Sequence, residues 1–271
     1  MGKIIAFTNQ KGGVGKTTTC VNVSSYLSAM GKKVLLIDLD PQGNASSGLG
    51  IEKSNDTLTL YNVFDGSCEI EDTIKPTYLL NLDIIPATVD LAGAELDLVQ
   101  MQDREKVLKK HLSKIKDAYD YITIDCPPSL GLITVNALTA VDSIIIPIQC
   151  EFYALEGLSQ LMNTVKLVKK HLNTSLDVEG VVLTMKDNRS NLIQEVGDEI
   201  RRFFGSKVFE TAIPRNIKLA EAPSHGESII TYDFNSKGSN AYFELAKEIL
   251  DRNKDKYKEI TKQTKILRGD K

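Results

Sequence analysis

The chain has 271 residues, of which 42% are apolar and 25% charged, with a formal net charge of −3. Those values fit a globular protein of one large α/β domain or two small ones. No apolar run approaches the roughly 20 residues a membrane-spanning helix needs, so an integral helical membrane protein is excluded. The charge is unevenly placed. Residues 1–180 carry 16 basic and 22 acidic groups, a net of −6, whereas residues 181–271 carry 17 and 14, a net of +3. Any polyanion-binding face therefore belongs to the C-terminal third, because such binding follows local patches. Cys20, Cys68, Cys126 and Cys150 are scattered without a C-x-x-C pair, which reads as four reduced thiols in a cytosolic protein. The N-terminus enters an apolar run at once, with no signal-peptide pattern.

That run predicts a strand over 3–8, followed by T-N-Q-K-G-G-V-G-K-T-T at 8–18 and a helix over 16–30. Strand, glycine-rich turn and Gly-Lys-Thr at a helix start form the setting of a phosphate-binding loop. Gly12, Gly13 and Gly15 let several backbone N–H groups converge on one anion. The helix aims its positive end at the same place. Lys16 supplies a point charge for the β- and γ-phosphates, and Thr17 a hydroxyl for Mg²⁺. One position departs from G-x-x-x-x-G-K-[ST]: where the first glycine belongs stands Gln10, followed by a second lysine, Lys11.

A second strand, 33–38, ends in D-L-D-P-Q-G. Its two carboxylates suit different work: Asp38, still on the strand, near Mg²⁺ or its waters, and Asp40, on the loop, orienting an attacking water. Strands follow at 82–86, 121–125, 143–148, 178–184 and 207–211, alternating with helices over 104–116, 155–171, 192–204 and 239–252. The strand over 121–125 ends in Asp125, a carboxylate placed to hold Mg²⁺ directly or through water. Near-continuous apolar strands such as V-L-L-I and S-I-I-I-P-I suit a parallel sheet covered on both faces. The predicted fold is a doubly wound, mostly parallel α/β sheet with ligands at the strands' carboxyl ends. It reads as one domain over 1–253, with a lysine-rich tail, 254–271, expected to be solvated.

Together K-G-G-V-G-K-T-T, D-L-D-P-Q-G and I-D-C-P-P-S-L-G-L-I-T-V-N-A-L resemble the ParA/Soj family of chromosome-partitioning ATPases, part of the deviant Walker A class of P-loop NTPases that also contains MinD. The likeness runs from Lys3 to about Leu250, including E-F-Y-A-L-E-G-L at 151–158 and P-R-N-I-K-L-A-E-A-P-S-H-G at 214–226. It implies ATP and Mg²⁺ as ligands and a dimer with the nucleotides sandwiched between two copies of the chain. Lys11 would reach across to the partner's phosphates, Lys16 would hold its own, and Asp40 would position the hydrolytic water. Gly12, Gly13, Val14, Gly15, Thr17 and Thr18 would complete the phosphate cradle, with Pro214 and Asn216 near the base and Thr17, Asp38 and Asp125 around the metal.

The resemblance further implies that the ATP dimer binds double-stranded DNA without sequence preference, through Lys186, Arg189 and Lys218. Lys218 falls where some relatives have arginine, so charge is kept but fork geometry is not. Hydrolysis would release the dimer, stimulated by the basic N-terminal segment of a ParB/Spo0J-type centromere-binding protein. The protein would then be cytoplasmic and associated with the nucleoid, without a membrane partner.

Two other readings stay open on sequence. A MinD-like membrane-cycling ATPase needs a C-terminal amphipathic helix, and the tail offers only Tyr257, Ile260, Ile266 and Leu267 as an apolar face. A reductase or ATP-dependent ligase on the same scaffold needs a second cluster cysteine or a substrate pocket, and the sequence offers neither.

Overall fold

The computed structural model describes residues 2–52, 54, 57–151, 154–186, 191–261 and 264–268. Seven strands lie among them: β1 (Lys3–Phe7), β2 (Val34–Asp38), β3 (Lys75–Pro76), β4 (Leu82–Ile85), β5 (Tyr121–Asp125), β6 (Ser143–Gln149) and β7 (Asp177–Thr184). They form one sheet in the order β3-β4-β2-β5-β1-β6-β7. Every pairing is parallel except that of the short edge strand β3 with β4. The helices are α1 (Lys16–Ala29), α2 (Asn44–Gly48), α3 (Leu60–Phe64), α4 (Ala94–Val99), α5 (Val107–Ile115), α6 (Leu132–Ala140), α7 (Ala154–His171), α8 (Asn191–Phe204), α9 (Ile217–Glu221), α10 (Ile229–Tyr232) and α11 (Lys237–Arg252).

Successive side chains on a strand point to opposite faces, and the two halves of the core divide on that rule. Ile4, Ala6, Leu35, Ile37, Ile122 and Ile124 face one way, onto residues of α3 to α8 such as Leu60, Leu98, Leu112 and Leu161. Ile5, Phe7, Leu36, Tyr121 and Ile145 face the other, onto α1 and α11 through Val23, Leu27, Tyr242 and Leu245. The sheet is thus doubly wound, as the sequence predicts.

Residues 207–211 are not a strand. Gly205–Lys207 is a 3₁₀ turn, and one bridge, Val181 to Val208, touches the sheet. The N–H groups that would continue a ladder are taken by a side chain: those of Glu210 and Thr211 donate to the Glu248 carboxylate at 3.0 and 3.2 Å. Phe209 turns inward over Gly180, where a Cβ would lie 2.3 Å from its ring.

The described part of the tail lies against the body instead of standing in solvent. Lys258 N–H donates to Met30 O at 3.0 Å, and Leu80 N–H to Ile266 O at 2.6 Å. Arg268 reaches Leu79 O at 3.1 Å, Leu82 O at 2.9 Å and the Asp83 carboxylate at 2.5 Å. Tyr257, Ile260 and Ile266 pack on the α1/α11 side of the core. The tail is thereby held against the β3–β4 connection at one end of the sheet.

Candidate nucleotide site

The loop between β1 and α1 is shaped by its glycines. Gly13 and Gly15 take φ of +73° and +86°, the left-handed region that favours glycine. Gly15 caps α1, whose first turn carries no acidic residue, so its N-terminal N–H groups and dipole are left for an anion. Thr184 at the end of β7 donates its hydroxyl to Val14 O at 2.8 Å, and Asn9 donates to Pro147 O at 2.8 Å. The loop is thereby tied to β6 and β7.

Lys16 folds back, its ammonium donating to Lys11 O at 3.1 Å. Burial lowers its pKa, against the opposing pull of the carboxylates of Asp125 and Asp40 and of the Cys126 thiol. Lys11 stands at the mouth of the site, its side chain 36% exposed and ion-paired with Glu151 at the end of β6. Glu151 lies in the E-F-Y-A-L-E-G-L block, but its residue type alone assigns it no such role.

The strand order decides how the carboxylates meet the loop. β5 lies between β1 and β2, so Asp125 pairs with Phe7 on one side and Asp38 on the other. Asp38 is one strand further from the loop. Its Oδ2 accepts from Ser46 N at 2.8 Å and Ser46 Oγ at 2.7 Å, and its Oδ1 from Asp40 N at 3.2 Å. Burial pushes the Asp38 carboxyl up to about 6 against those hydrogen bonds. Asp38 therefore spends its acceptors on the loop that carries Asp40, and Ser46, unmarked in the sequence, is its partner.

Asp125 is equally buried, yet neither carboxylate oxygen has a hydrogen-bond partner among the described residues. Thr17 and Lys16 face it and lower its pKa, but burial and the neighbouring Asp38 raise it well above the usual carboxylate range. A carboxylate left so costs free energy unless a cation or hydrogen-bond donor completes it. The described residues hold no cluster of three or more His, Cys, Asp or Glu able to bind a metal alone. That suits Mg²⁺, which commonly takes one or two carboxylates with phosphates and water. Thr17 and Asp125 fit that demand.

Beside the loop, Gly15, Thr18, Met185, Pro214, Asn216 and Tyr242 are among the residues lining a largely apolar cavity of about 440 Å³. The segment carrying Pro214 runs along the end of β7: Ile213 N–H donates to Leu183 O at 2.8 Å and Lys186 N–H to Ile213 O at 3.0 Å. Asn216 caps α9 through Lys218 N–H at 2.9 Å. Met185 holds φ at +50° in the wall of this cavity, a strained conformation of the kind that gathers at ligand sites. Neither it nor Thr184 carries a sequence signal.

The three basic positions expected on one DNA face are less uniform. Lys186 pairs its backbone with Pro214. Lys218 is ion-paired with Glu221 at 2.9 Å and lies 5.7 Å from the centre of the Tyr232 ring. Arg189 lies outside the described residues.

Comparison with known proteins bears on these features. An AAA domain family model matches residues 2–178. The sporulation initiation inhibitor protein Soj of Bacillus subtilis is 60% identical over 249 residues, covering 92% of this chain and 98% of its own. The chromosome-partitioning ATPase Soj of Treponema pallidum is 52% identical over 252 residues, covering 93% and 98%. Among solved structures, a cobyrinic acid a,c-diamide synthase from Mycobacterium smegmatis with bound ADP and magnesium superposes with a TM-score of 0.82. It is 34% identical and covers 96% of this chain and 100% of its own.

Proposed function

Because the chain belongs to the Soj/ParA family of chromosome-partitioning ATPases, we propose that it is a DNA-segregation timer, whose ATP-bound dimer holds non-specific DNA until hydrolysis releases it. The protein is an ATPase acting in chromosome partitioning, with ATP and Mg²⁺ as its ligands. Lys16 and the N–H groups of residues 11–18 bind the phosphates, and the cavity beside Pro214 and Asn216 takes the base. Thr17 and Asp125 would hold Mg²⁺, which would supply charge neutralisation for the phosphates. Asp38 positions the loop that carries Asp40, and Asp40 orients the attacking water.

The observation that carries the dimer is Lys11. A lysine at the mouth of the site, whose ion-pair partner among the described residues is a half-exposed glutamate, can exchange that partner for the phosphates of a second copy. Recognition of the γ-phosphate and dimerisation then become one event, as with an arginine finger supplied in trans. Lys186, Arg189 and Lys218 form the DNA face, which Lys218 joins by leaving Glu221. The stimulating partner is a ParB/Spo0J-type protein with a basic N-terminal segment, and the site of action is the nucleoid in the cytoplasm.

The similarity to a protein named as a diamide synthase is at 34% identity, well below the 60% shared with Soj, and favours partitioning over ligase chemistry. A membrane-cycling reading gains little from the tail, where Tyr257, Ile260 and Ile266 are used against the body and only Leu267 of the apolar four is exposed. Light scattering of Asp40→Ala during size exclusion tests the proposal. The expected result is a dimer with ATP that co-elutes with non-specific duplex DNA. A monomer in every condition overturns it.

A further inference from the structure

The segment from Val89 to Val99 is apolar on two sides. Leu91, Ala94 and Leu98 are fully buried and fix it to the core. Yet Val89 is 72% exposed, Leu96 76% and Val99 51%. One apolar side is thus spent on the core, and a second, interspersed with Asp90, Glu95 and Asp97, faces solvent. Contiguous exposed apolar surface with a polar rim marks a contact site.

The rim is mostly acidic, with Arg104, which donates to Val99 O at 3.4 Å, as a cation at one end. From Thr77 to Asp103 the chain carries Asp83, Asp90, Glu95, Asp97 and Asp103 and no lysine, arginine or histidine. Three acids from different elements converge on Tyr61 of α3: Asp97 first, with Asp65 and Asp90, raises the Tyr61 phenol. The complementary ligand is a segment with apolar residues on one side and basic residues around them, because potentials across an interface match in opposite sign.

The place of this surface gives its occupant leverage. The chain leaves β4 through Ala87, whose N–H donates to Ser46 Oγ at 3.1 Å. Ser46 in turn holds Asp38, which holds the Asp40 N–H. On the other side the Glu95 carboxylate of α4 lies against Gly131, in the loop after Asp125, so closely that a Cβ there would meet its Oε1 at 2.0 Å. Pressure on α4 therefore reaches the loops carrying both Asp40 and Asp125.

We infer that the face formed by Tyr61, Val89, Leu96, Asp97 and Val99 is the docking surface for a basic amphipathic peptide segment, and that its occupation speeds hydrolysis by resetting those two loops. The inference rests on the stimulating partner proposed above and names where its basic segment binds.

The test uses the full-length protein with Mg²⁺-ATP and non-specific DNA, titrated with a synthetic peptide of the basic N-terminal segment of its cognate centromere-binding protein. Leu96→Lys alters an exposed position and Asp97→Lys a half-buried one beside Tyr61. Each is expected to raise the peptide concentration for half-stimulation by roughly ten-fold or more, with basal hydrolysis, ATP-dependent dimerisation and DNA retention unchanged. A peptide with its basic residues exchanged for glutamate is expected to regain stimulation of Asp97→Lys. Wild-type stimulation of both variants would overturn the docking surface and leave the partner reading standing. Loss of ATP-dependent dimerisation in the variants would overturn it in favour of a contact between two copies. Failure of both peptide and full-length partner to stimulate the wild type would remove the partner reading and this inference together.

Discussion

Asp38 and Asp125 are direct partners across the β2–β5 pair, both fully buried, and only one of them is satisfied. Asp38 accepts three hydrogen bonds from Ser46 and Asp40, while among the described residues neither oxygen of Asp125 has a well-formed hydrogen bond, with Thr17 and Lys16 facing it. Two carboxylates that look alike at the ends of two strands thus differ: Asp38 is tied into its loop by hydrogen bonds, and Asp125 is not.

The pair predicts opposite responses to the same change. Asp38→Asn weakens hydrogen bonds to a buried carboxylate and is expected to lower stability by about 1–3 kcal/mol. Asp125→Asn removes a buried carboxylate that burial and Asp38 disfavour more than Thr17 and Lys16 favour, and is expected to leave the nucleotide-free protein as stable as the wild type or more so, while Mg²⁺-dependent ATP binding is lost. Urea unfolding without nucleotide, beside binding of a fluorescent ATP analogue with and without Mg²⁺, reads both. Equal destabilisation by the two changes would refute the distinction.

Lys11→Ala separates binding from dimerisation. Nucleotide affinity of the monomer is expected to change little, because Lys16 and the loop remain. The ATP-dependent dimer should disappear, and hydrolysis should fall by on the order of 10³-fold, the scale of removing a charge supplied in trans. Light scattering with ATP and a phosphate-release assay measure these effects. A dimer that survives would place Lys11 outside the interface.

Arg189→Glu is expected to abolish retention on non-specific DNA at moderate salt while ATP-dependent dimerisation persists. Filter binding over a salt series checks this, since phosphate contacts set the salt slope. An unchanged slope would take Arg189 out of the DNA face.

Deleting residues 257–271 removes Tyr257, Ile260, Ile266 and Arg268 from the β3–β4 connection and the α1/α11 surface. From apolar burial alone the expected loss is about 2–4 kcal/mol, read as a lower midpoint in denaturant. Unchanged stability would return the tail to solvent.

His111 gives a pH dependence of known sign. Burial, with the neighbouring Lys114 charge, lowers its pKa from 6.5, and its Nδ1 is buried without a partner among the described residues. The unfolded chain therefore binds this proton more readily than the folded one. Its stability contribution is full above pH 6.5 and is lost as pH falls through the lower folded value. Thermal midpoints of wild type and His111→Gln between pH 5 and 8 should diverge below about 6.5. Parallel curves would show that another group governs the acid limb.

The sequence by itself determined what is local. A strand, a glycine turn and Gly15-Lys16-Thr17 specify a phosphate site within one contiguous stretch, because the required backbone conformations and the helix start are properties of neighbouring residues. Apolar runs determined most of the strands and the doubly wound class. Only tertiary structure decided what depends on distant segments. It placed β5 between β1 and β2, giving Asp125 rather than Asp38 to the phosphate loop. It used Glu248, 37 residues along the chain from Thr211, to take the N–H groups of a predicted strand. It laid an apparently solvated tail against the β3–β4 connection. Residue type limits which hydrogen bonds a carboxylate can accept, but the partners that fill them are chosen by the packing of the whole chain.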